Sequence, residues 1–511
     1  MNETSTTYPF KLWFAATCAW LGSLQFGFHL GVLNTCLSYT STDLGITEAK
    51  GGAVVTSVLL ISAAVGGFFA GQVADAIGPR RALVWNTVPF FAGSLMSAIA
   101  PDGSTGFWAM LLGRFLAGLG VGTASLVVPR YLVEIAPTPI RGALGTFSQL
   151  FVCVGILIAF AIGLPYDGKE AFLDLGQHQI AWWRVMFAIG LAPATLQAIG
   201  MSTCPESPIW LEWKGNTEAA WRAKGQLQGQ NPHALPQVTN LGATHFGDVE
   251  KQETTTFVEE GDGASVPLRG AAEEVFSSSE AGSSHLDDEE LSGEGEWSDL
   301  VQRRYRRMMV LAVSLPLLQQ ASGINSITFY SSSVFTRAGL SSPIIGSIIV
   351  GCVNVVGTGV AAYLMDKTGR RPLLIASHAG MAISLISISL AKFLPLSKTL
   401  EGYISLVAIL GSVMLFSLGV GPIPWLYLSE ILPERIKGRA AALCTCLNWL
   451  ASLLIGLIFP VMLELLDING SYLVFAALNA AAVVFAYTFM VETKGRSLQR
   501  IMHLLLDSHT D

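Results

Sequence analysis

Asp75-Ala-Ile-Gly78-Pro-Arg80-Arg81 and Asp366-Lys-Thr-Gly369-Arg370-Arg371 repeat one pattern: an acid, a short glycine turn and an arginine pair, set between long apolar runs. The two acids stand 291 positions apart. Outward from these turns the echo continues, with Glu134-Ile-Ala-Pro137 followed by Arg141, and Glu430-Ile-Leu-Pro433 followed by Arg435, Lys437 and Arg439. Glu134 and Glu430 are separated by 296 positions, and Gly118-Leu-Gly-Val-Gly122 finds its counterpart in Leu418-Gly-Val-Gly421. The chain therefore reads as a duplication whose copies carry matched charged turns.

Composition decides the environment. Hydrophobic residues make up 51% of 511 and charged residues only 13%, against roughly 25% charged in soluble domains. Runs such as 53–74, 142–164, 373–390 and 440–463 approach or exceed the ~20 residues that cross ~30 Å of hydrocarbon as a helix. They lack the apolar/polar alternation of a barrel strand, and lipid leaves no partner for open backbone groups, so helices are expected. Twelve are predicted, over 10–36, 51–74, 83–100, 107–133, 142–164, 183–204, 307–336, 343–365, 372–393, 403–428, 439–464 and 471–490. The fold class is thus an all-α membrane protein of two pseudo-symmetric six-helix bundles. Residues 1–9 carry no basic residue and precede no small-residue cleavage site, so the first run reads as a retained helix.

Cations set the expected orientation. Arg80, Arg81, Arg141, Lys367, Arg370, Arg371, Arg435, Lys437, Lys494, Arg496 and Arg500 fall on one side, whereas the other keeps chiefly Lys50, Lys169 and Lys398. The positive-inside rule places both termini in the cytoplasm. The domain plan is then a cytoplasmic N-terminus 1–9, a bundle 10–204, a cytoplasmic loop 205–306, a second bundle 307–490 and a tail 491–511.

Residues 248–299 hold 16 acids against two basic residues, a local charge of −14 in a chain of −7. The acidic balance belongs to this loop and says nothing about a substrate. The Ser-rich acidic segment 246–299 is expected to be disordered. It reads either as a solvated linker or as serines beside acids that a kinase or trafficking factor addresses. The seven cysteines mostly sit in apolar runs as small packing residues. No spacing suggests a metal site, a nucleotide cradle or a catalytic constellation, so no cofactor, no nucleic acid and no enzyme activity are expected.

Gly113-Arg114, Pro205-Glu-Ser-Pro208, Gln319-Gln320-Ala-Ser-Gly323-Ile-Asn325, Gly421-Pro-Ile-Pro-Trp425, Asn448-Trp449 and Glu492-Thr-Lys-Gly495 occur in this order around the twelve runs. On these residues the chain resembles the sugar porters of the major facilitator superfamily, from about Gly22 to Leu498. The resemblance implies transport of a monosaccharide, a hexose such as glucose, by two halves rocking about a central site.

A sugar is a ring of hydroxyls with one modestly apolar face, suited to neutral amides and an aromatic plate. Gln319, Gln320 and Asn325 supply amides from one run; Gln320 and Asn325 lie about 140° apart beyond a full helical turn, so convergence needs a break at Gly323. The resemblance adds Gln149, Asn354, Trp425 and Asn448 as sugar contacts. Each amide could instead be a helix-to-helix tie, and Trp425 an interfacial anchor. Asp75, Arg80, Arg81, Arg114, Glu134 and Arg141 in one half, with Asp366, Arg370, Arg371, Glu430, Lys437 and Arg439 in the other, are expected to form a gating charge network, with Glu134 and Glu430 as the acids of the clasp. Ile209, Val491, Pro79 and Thr328 depart from the family pattern.

His29 stands where proton-coupled relatives tend to have aspartate and facilitators a neutral amide. It reads either as a proton relay or as a neutral polar residue. Facilitation is preferred, because the first helix then carries no carboxylate. A sugar sensor is the alternative of another class. The chain is expected to act as a monomer in the plasma membrane or a vacuolar or endosomal membrane.

Overall fold

The computed structural model describes residues 8–137, 140–166, 172–174, 179–228, 296–337, 342–391, 397–496, 500–501 and 504–505. The first half comprises α1 (Phe10–Asp43), α2 (Glu48–Ile77), α3 (Pro79–Ala98), α4 (Gly103–Ile135), α5 (Arg141–Ala161), α6 (Trp182–Ile189) and α7 (Leu191–Thr203). A two-stranded antiparallel ribbon, β1 (Phe172–Asp174) with β2 (Gln179–Ala181), precedes α6. Two short helices follow, α8 (Pro208–Trp213) and α9 (Thr217–Gln228). The second half comprises α10 (Arg306–Ala321), α11 (Ile324–Arg337), α12 (Pro343–Thr368), α13 (Arg370–Ala391), α14 (Lys398–Leu415), α15 (Ile423–Ile431), α16 (Glu434–Leu465) and α17 (Asp467–Phe489).

Nine spans among the described residues are long and apolar enough to cross a membrane, with α6 and α7 counting as one and α14 running through to Ile431 as another. The three remaining predicted runs are helical too: α1, α3, and the seventh run, which is split. Gly323 adopts φ +89° and divides that run into pieces of 16 and 14 residues, α10 and α11. A second defect lies at Phe416–Val420, where the tenth run widens into a π-turn before Pro422 and Pro424. Proline removes a donor, glycine admits positive φ, and both breaks fall where the sequence supplies them. The first helix runs to Asp43, beyond the 36 expected, because nothing from Leu37 to Asp43 breaks it.

The linker opens on helix and differs from expectation at its far margin. Ser207 caps α8 by accepting from the Trp210 N–H at 3.1 Å, so the chain after residue 204 begins as ordered helix. The acidic segment 246–299 lies outside the described residues up to 295. Its last residues form a 3₁₀ turn, Trp297–Val301, in which Trp297 stacks on Phe68 with centroids 5.4 Å apart. The carboxylate of Asp299 accepts from Arg435 at 3.0 Å. Order therefore reaches back through 299: stacking an indole on Phe68 and pairing a buried carboxylate there offsets the ordering entropy.

Within the first half α1 packs on α5, α2 on α4, and α3 on α4 and α7; within the second, α13 packs on α14 and α17, and α10 on α16. The halves meet along α2 with α16 and α5 with α12, while α1 lies against α11. Large apolar side chains such as Trp85, Trp108, Ile383 and Val407 remain exposed around the bundle, as a lipid-facing surface requires. The α1–α5 approach is set by Gly27, where a Cβ would stand 1.9 Å from the Val152 carbonyl oxygen. Gly27→Val is expected to destabilise the protein by about 1–3 kcal/mol through overpacking. A thermal melt in detergent would register this as a lower midpoint; an unchanged midpoint would contradict so close an approach.

Candidate functional site

The amides of the second half converge at the Gly323 break. Asn325 Nδ2 donates to Gln320 Oε1 at 2.5 Å and to Ser452 Oγ at 2.7 Å, and Gln320 Nε2 donates to Asn448 Oδ1 at 2.7 Å. The α10–α11 break thus brings Gln320 and Asn325 together despite their unfavourable spacing, and α16 joins them through Asn448 and Ser452. Gln319 points elsewhere. Its Nε2 donates to the carbonyls of Val420 at 3.0 Å and Gly421 at 2.7 Å, so it covers the backbone freed by the π-turn and the prolines.

Gln149 and Asn354 meet across the two halves through a thiol. Cys153 Sγ lies 3.4 Å from Asn354 Oδ1 and 3.3 Å from Thr358 Oγ1, with Gln149 Nε2 at 3.9 Å from the sulfur. Ser417 Oγ also donates to Asn354 Oδ1 at 2.7 Å. Gln149, Asn325, Asn354 and Trp425 are half-buried, whereas Gln319, Gln320 and Asn448 are buried. Among the described residues, Nδ2 of Asn354 and of Asn448 and the Trp425 indole N–H donate to nothing, and Oε1 of Gln149 and Oδ1 of Asn325 accept from nothing. Three donors and two acceptors are left over, a mixture that matches hydroxyls, each of which both donates and accepts.

His29 does not belong to this cluster. It is 1% exposed, stacks on Phe90 with centroids 5.4 Å apart, and approaches Ser94 Oγ through Nε2 at 3.3 Å. Arg114, also 1% exposed, donates to the His29 carbonyl at 2.9 Å and lies over Phe187. The ring and the guanidinium are therefore enclosed by helices of the first half. Arg114 was expected beside Glu134 at the charged end; 20 residues of one helix put about 30 Å between them, so the pairing is geometrically impossible.

Glu134 instead accepts from Arg130 Nε at 2.7 Å, and the same guanidinium reaches Asp75 at 2.6 Å. In the second half Arg370 donates to Glu430 at 2.9 Å, and Thr493 Oγ1 donates to the other oxygen of Glu430 at 2.6 Å. The difference follows from Pro79, which aligns with Arg370 and carries no charge. Arg80 and Arg371, the aligned second cations, do not meet the acids either. Arg80 donates to carbonyls of Met201 and Ser202 at the end of α7, and Arg371 to those of Ala486 and Tyr487 near the end of α17. Each therefore sits at a helix C-terminus, where a cation is favoured. Arg81 is exposed and Lys437 and Arg439 are half-buried on the first turns of α16, while the side chains of Arg141 and Asp366 lie outside the described residues.

Two acids quoted in the sequence motifs prove central to the clasps. Gly78 and Gly369 take φ +97° and +94°, and a Cβ on either would strike the carboxylate of Glu206 or Glu492 at 2.7 Å. Glu206 accepts the Arg80 N–H at 2.8 Å, and Glu492 accepts those of Arg370, Arg371, Thr493 and Lys494 at 2.9–3.1 Å. Tyr131 donates to the Pro205 carbonyl at 2.8 Å and Tyr427 to that of Val491 at 3.0 Å, the tyrosines standing 296 positions apart and the accepting residues 286. Burial raises the Glu206 carboxyl above the usual 4.5, outweighing its N–H bonds. For Glu492 burial acts the same way, but four backbone N–H groups prevail and hold it below 4.5. Arg130 was discoverable from its i, i+4 spacing to Glu134.

Twelve membrane helices in two related halves, with amides gathered at paired helix breaks, define a transporter of the major facilitator class. The family model described as sugar (and other) transporter matches residues 15–260 and 246–505, and the chain belongs to that family. It is 38% identical to plastidic glucose transporter 4 of Arabidopsis thaliana over 98% of this chain and 80% of the relative. To putative polyol transporter 2 of the same plant it is 32% identical over 96% and 91%. Among solved structures, a double-tryptophan mutant of XylE aligns with TM-score 0.73 at 26% identity, covering 97% of this chain and 99% of that one. The proton:xylose symporter XylE bound to 6-bromo-6-deoxy-D-glucose aligns with TM-score 0.71 at 25% identity, over 97% and 99%.

The two clasps should answer differently to neutralisation. Glu492→Gln sets an N–H2 against a backbone donor and is expected to cost about 1–3 kcal/mol. Glu206→Gln should cost less, since one Glu206 oxygen has no partner. The pH dependence has opposite signs: the Glu492 contribution is present above pH 4.5 and fades as pH falls through its lowered value, whereas Glu206 gains stability by protonation as pH falls. Thermal melts of both variants from pH 4 to 7 check this; equal losses at every pH would refute it.

Proposed function

We propose that the chain carries a monosaccharide, a hexose, across a membrane by alternating access, and that it does so without proton coupling. The observation that supports this most directly is the set of unused donors and acceptors on Gln149, Asn325, Asn354, Trp425 and Asn448. These groups come from both halves, so a sugar seated among them touches each half and rewards their closure around it. The relatives named for glucose and polyol transport favour a polyhydroxylated substrate of this size.

Facilitation rests on α1 carrying His29 in its interior, where its one carboxylate, Asp43, is the helix's last residue and accepts from the Trp183 indole, and on a setting of Ser94, Phe90 and Arg114 that offers no acid to receive a proton. Proton coupling is the rival reading, since the structural neighbour XylE is a proton:xylose symporter. The charged end is assigned to the cytoplasm by its cations. At that end the clasps Arg130 with Asp75 and Glu134, and Arg370 with Glu430, act as a gating network that biases the closed state there. The amide and thiol contacts require only one copy of the chain, in keeping with a working monomer. A kinase or trafficking role for the acidic loop falls on residues outside those described.

Purified protein in liposomes should equilibrate labelled glucose and show counterflow, with no accumulation when an inward proton gradient is imposed. Gradient-driven accumulation would overturn facilitation, and absence of counterflow with any hexose or polyol would overturn transport. Asn448→Ala and Gln320→Ala are expected to raise the half-saturation concentration about tenfold or more, as loss of a buried hydrogen-bonding partner implies. Arg370→Ala should slow turnover while leaving equilibrium sugar affinity within about twofold. Equal collapse of affinity in all three variants would remove the distinction between site and clasp.

A further inference from the structure

Asn34, near the end of α1, makes three hydrogen bonds to α11 in the opposite half. Its Nδ2 donates to the Thr328 carbonyl at 2.7 Å and to Ser331 Oγ at 2.9 Å, and its Oδ1 accepts the Ser332 backbone N–H at 3.2 Å. Residues 328 and 332 are an i, i+4 pair, so in an uninterrupted helix that N–H donates to that carbonyl. Between them Tyr330 leaves helical geometry, with φ −131° and ψ 15°. A side chain inserted in the ladder is a recognised cause of a helix kink. Ser331 and Ser332 are further tied to Ser347 of α12 at 2.7 and 3.0 Å, which anchors the kinked segment within its own half.

We propose that Asn34 is a removable splice: its carboxamide stands in for one peptide hydrogen bond of α11 and thereby couples the shape of that helix to the contact between the halves. When the halves meet at this end, the amide enters the ladder and α11 bends at Tyr330. When they part, the amide withdraws, the freed N–H and carbonyl pair with each other, and α11 straightens. Neither state leaves a backbone group unpaired in hydrocarbon, so the bend changes without a large barrier. Asn34 is thus a positioning residue that acts on the sugar path through α11. This inference rests on the transport reading for its functional consequence and on geometry alone for its mechanism.

Two variants push the equilibrium in opposite directions. Asn34→Ala removes the splice and favours the straight, open form at this end. Ser332→Pro takes the N–H from both states alike, but its ring clashes with the Thr328 carbonyl only where α11 is straight, so it favours the bent, closed form. Apparent affinity scales inversely with the population of the competent state. With one to two bonds at stake, zero-trans transport in liposomes should therefore show, for Asn34→Ala, half-saturation lowered about threefold from the Asn34 side and raised from the clasp side. Ser332→Pro should show the reverse. A merely structural role would move both sides alike, and that result would overturn the proposal. Spin labels at Thr42→Cys and Thr336→Cys, with Cys352 and Cys446 replaced by serine, supply a second readout in nanodiscs without sugar. The inter-label distance should lengthen with Asn34→Ala and shorten with Ser332→Pro; unchanged or parallel shifts would reject the splice. If no sugar is carried but the distances diverge, the transport reading fails and the splice stands.

Discussion

Hydrocarbon offers no partner to a backbone carbonyl or N–H, and every interruption in a membrane helix must be closed by something the protein itself provides. Among the described residues of the second half, side-chain amides close three such interruptions, while the carbonyls of Ala312 and Gly456, freed by Pro316 and Pro460, are met by the Cys444 thiol and the Tyr330 hydroxyl. Asn479 donates to the Ser322 carbonyl at 3.1 Å beside the Gly323 break and is itself held by His378 Nδ1 at 2.8 Å. Gln319 covers Val420 and Gly421, and Asn34 covers Thr328 and Ser332. The amides are therefore neither purely ligand groups nor purely ties between helices. A break creates the polar demand, an amide answers it, and the surplus donors and acceptors around the same breaks are what a hydroxylated ligand would meet.

This division explains why neighbouring residues do different work. Gln319 and Gln320 are adjacent in sequence but about 100° apart around α10. One faces the π-turn and spends its N–H2 on backbone; the other faces α16 and joins the amide chain to Asn448. Gln319, expected as a sugar contact, is better described as the support for the hinge at Gly421. The α5–α12 contact has a different character, since there the halves touch through the Cys153 thiol, a weak hydrogen-bonding group. Weak contacts suit an interface that must part on every cycle.

Much of this was legible in the sequence because membrane helices announce themselves by length and apolar content, and because a duplication reveals its register through glycine turns. The convergence of Gln320 with Asn325 followed from a break at Gly323, which a glycine between polar residues suggests. Asn34 was not legible: its partner lies 294 residues away, and nothing local distinguishes an asparagine in an apolar run from a packing residue. Arg114 was misplaced because an arginine near a charged motif looks like part of it, whereas helix rise sets it about 30 Å inward. Glu206 and Glu492 stood in quoted motifs but reveal their role only once the tertiary fold brings residue 206 to residue 78, and residue 492 to residue 369.

The two clasps show which features of the duplication are tied to geometry and which to charge alone. Both halves keep the positive-φ glycine, the carboxylate seated against it, the tyrosine that ties the following turn and the arginine on the sixth helix's C-terminal carbonyls. The ion pair itself is built differently: Pro79 removes the cation that Arg370 supplies in the second half, and Arg130, two acids in reach, replaces it from within α4. Backbone N–H groups fix a carboxylate's position to tenths of an ångström, whereas a guanidinium on a long side chain can approach an acid from several directions. The glycine seat is thus the part that has no substitute, since any Cβ there would collide with the acid. The arginine that completes the clasp can come from either helix, provided its charge arrives at the same end of the bundle.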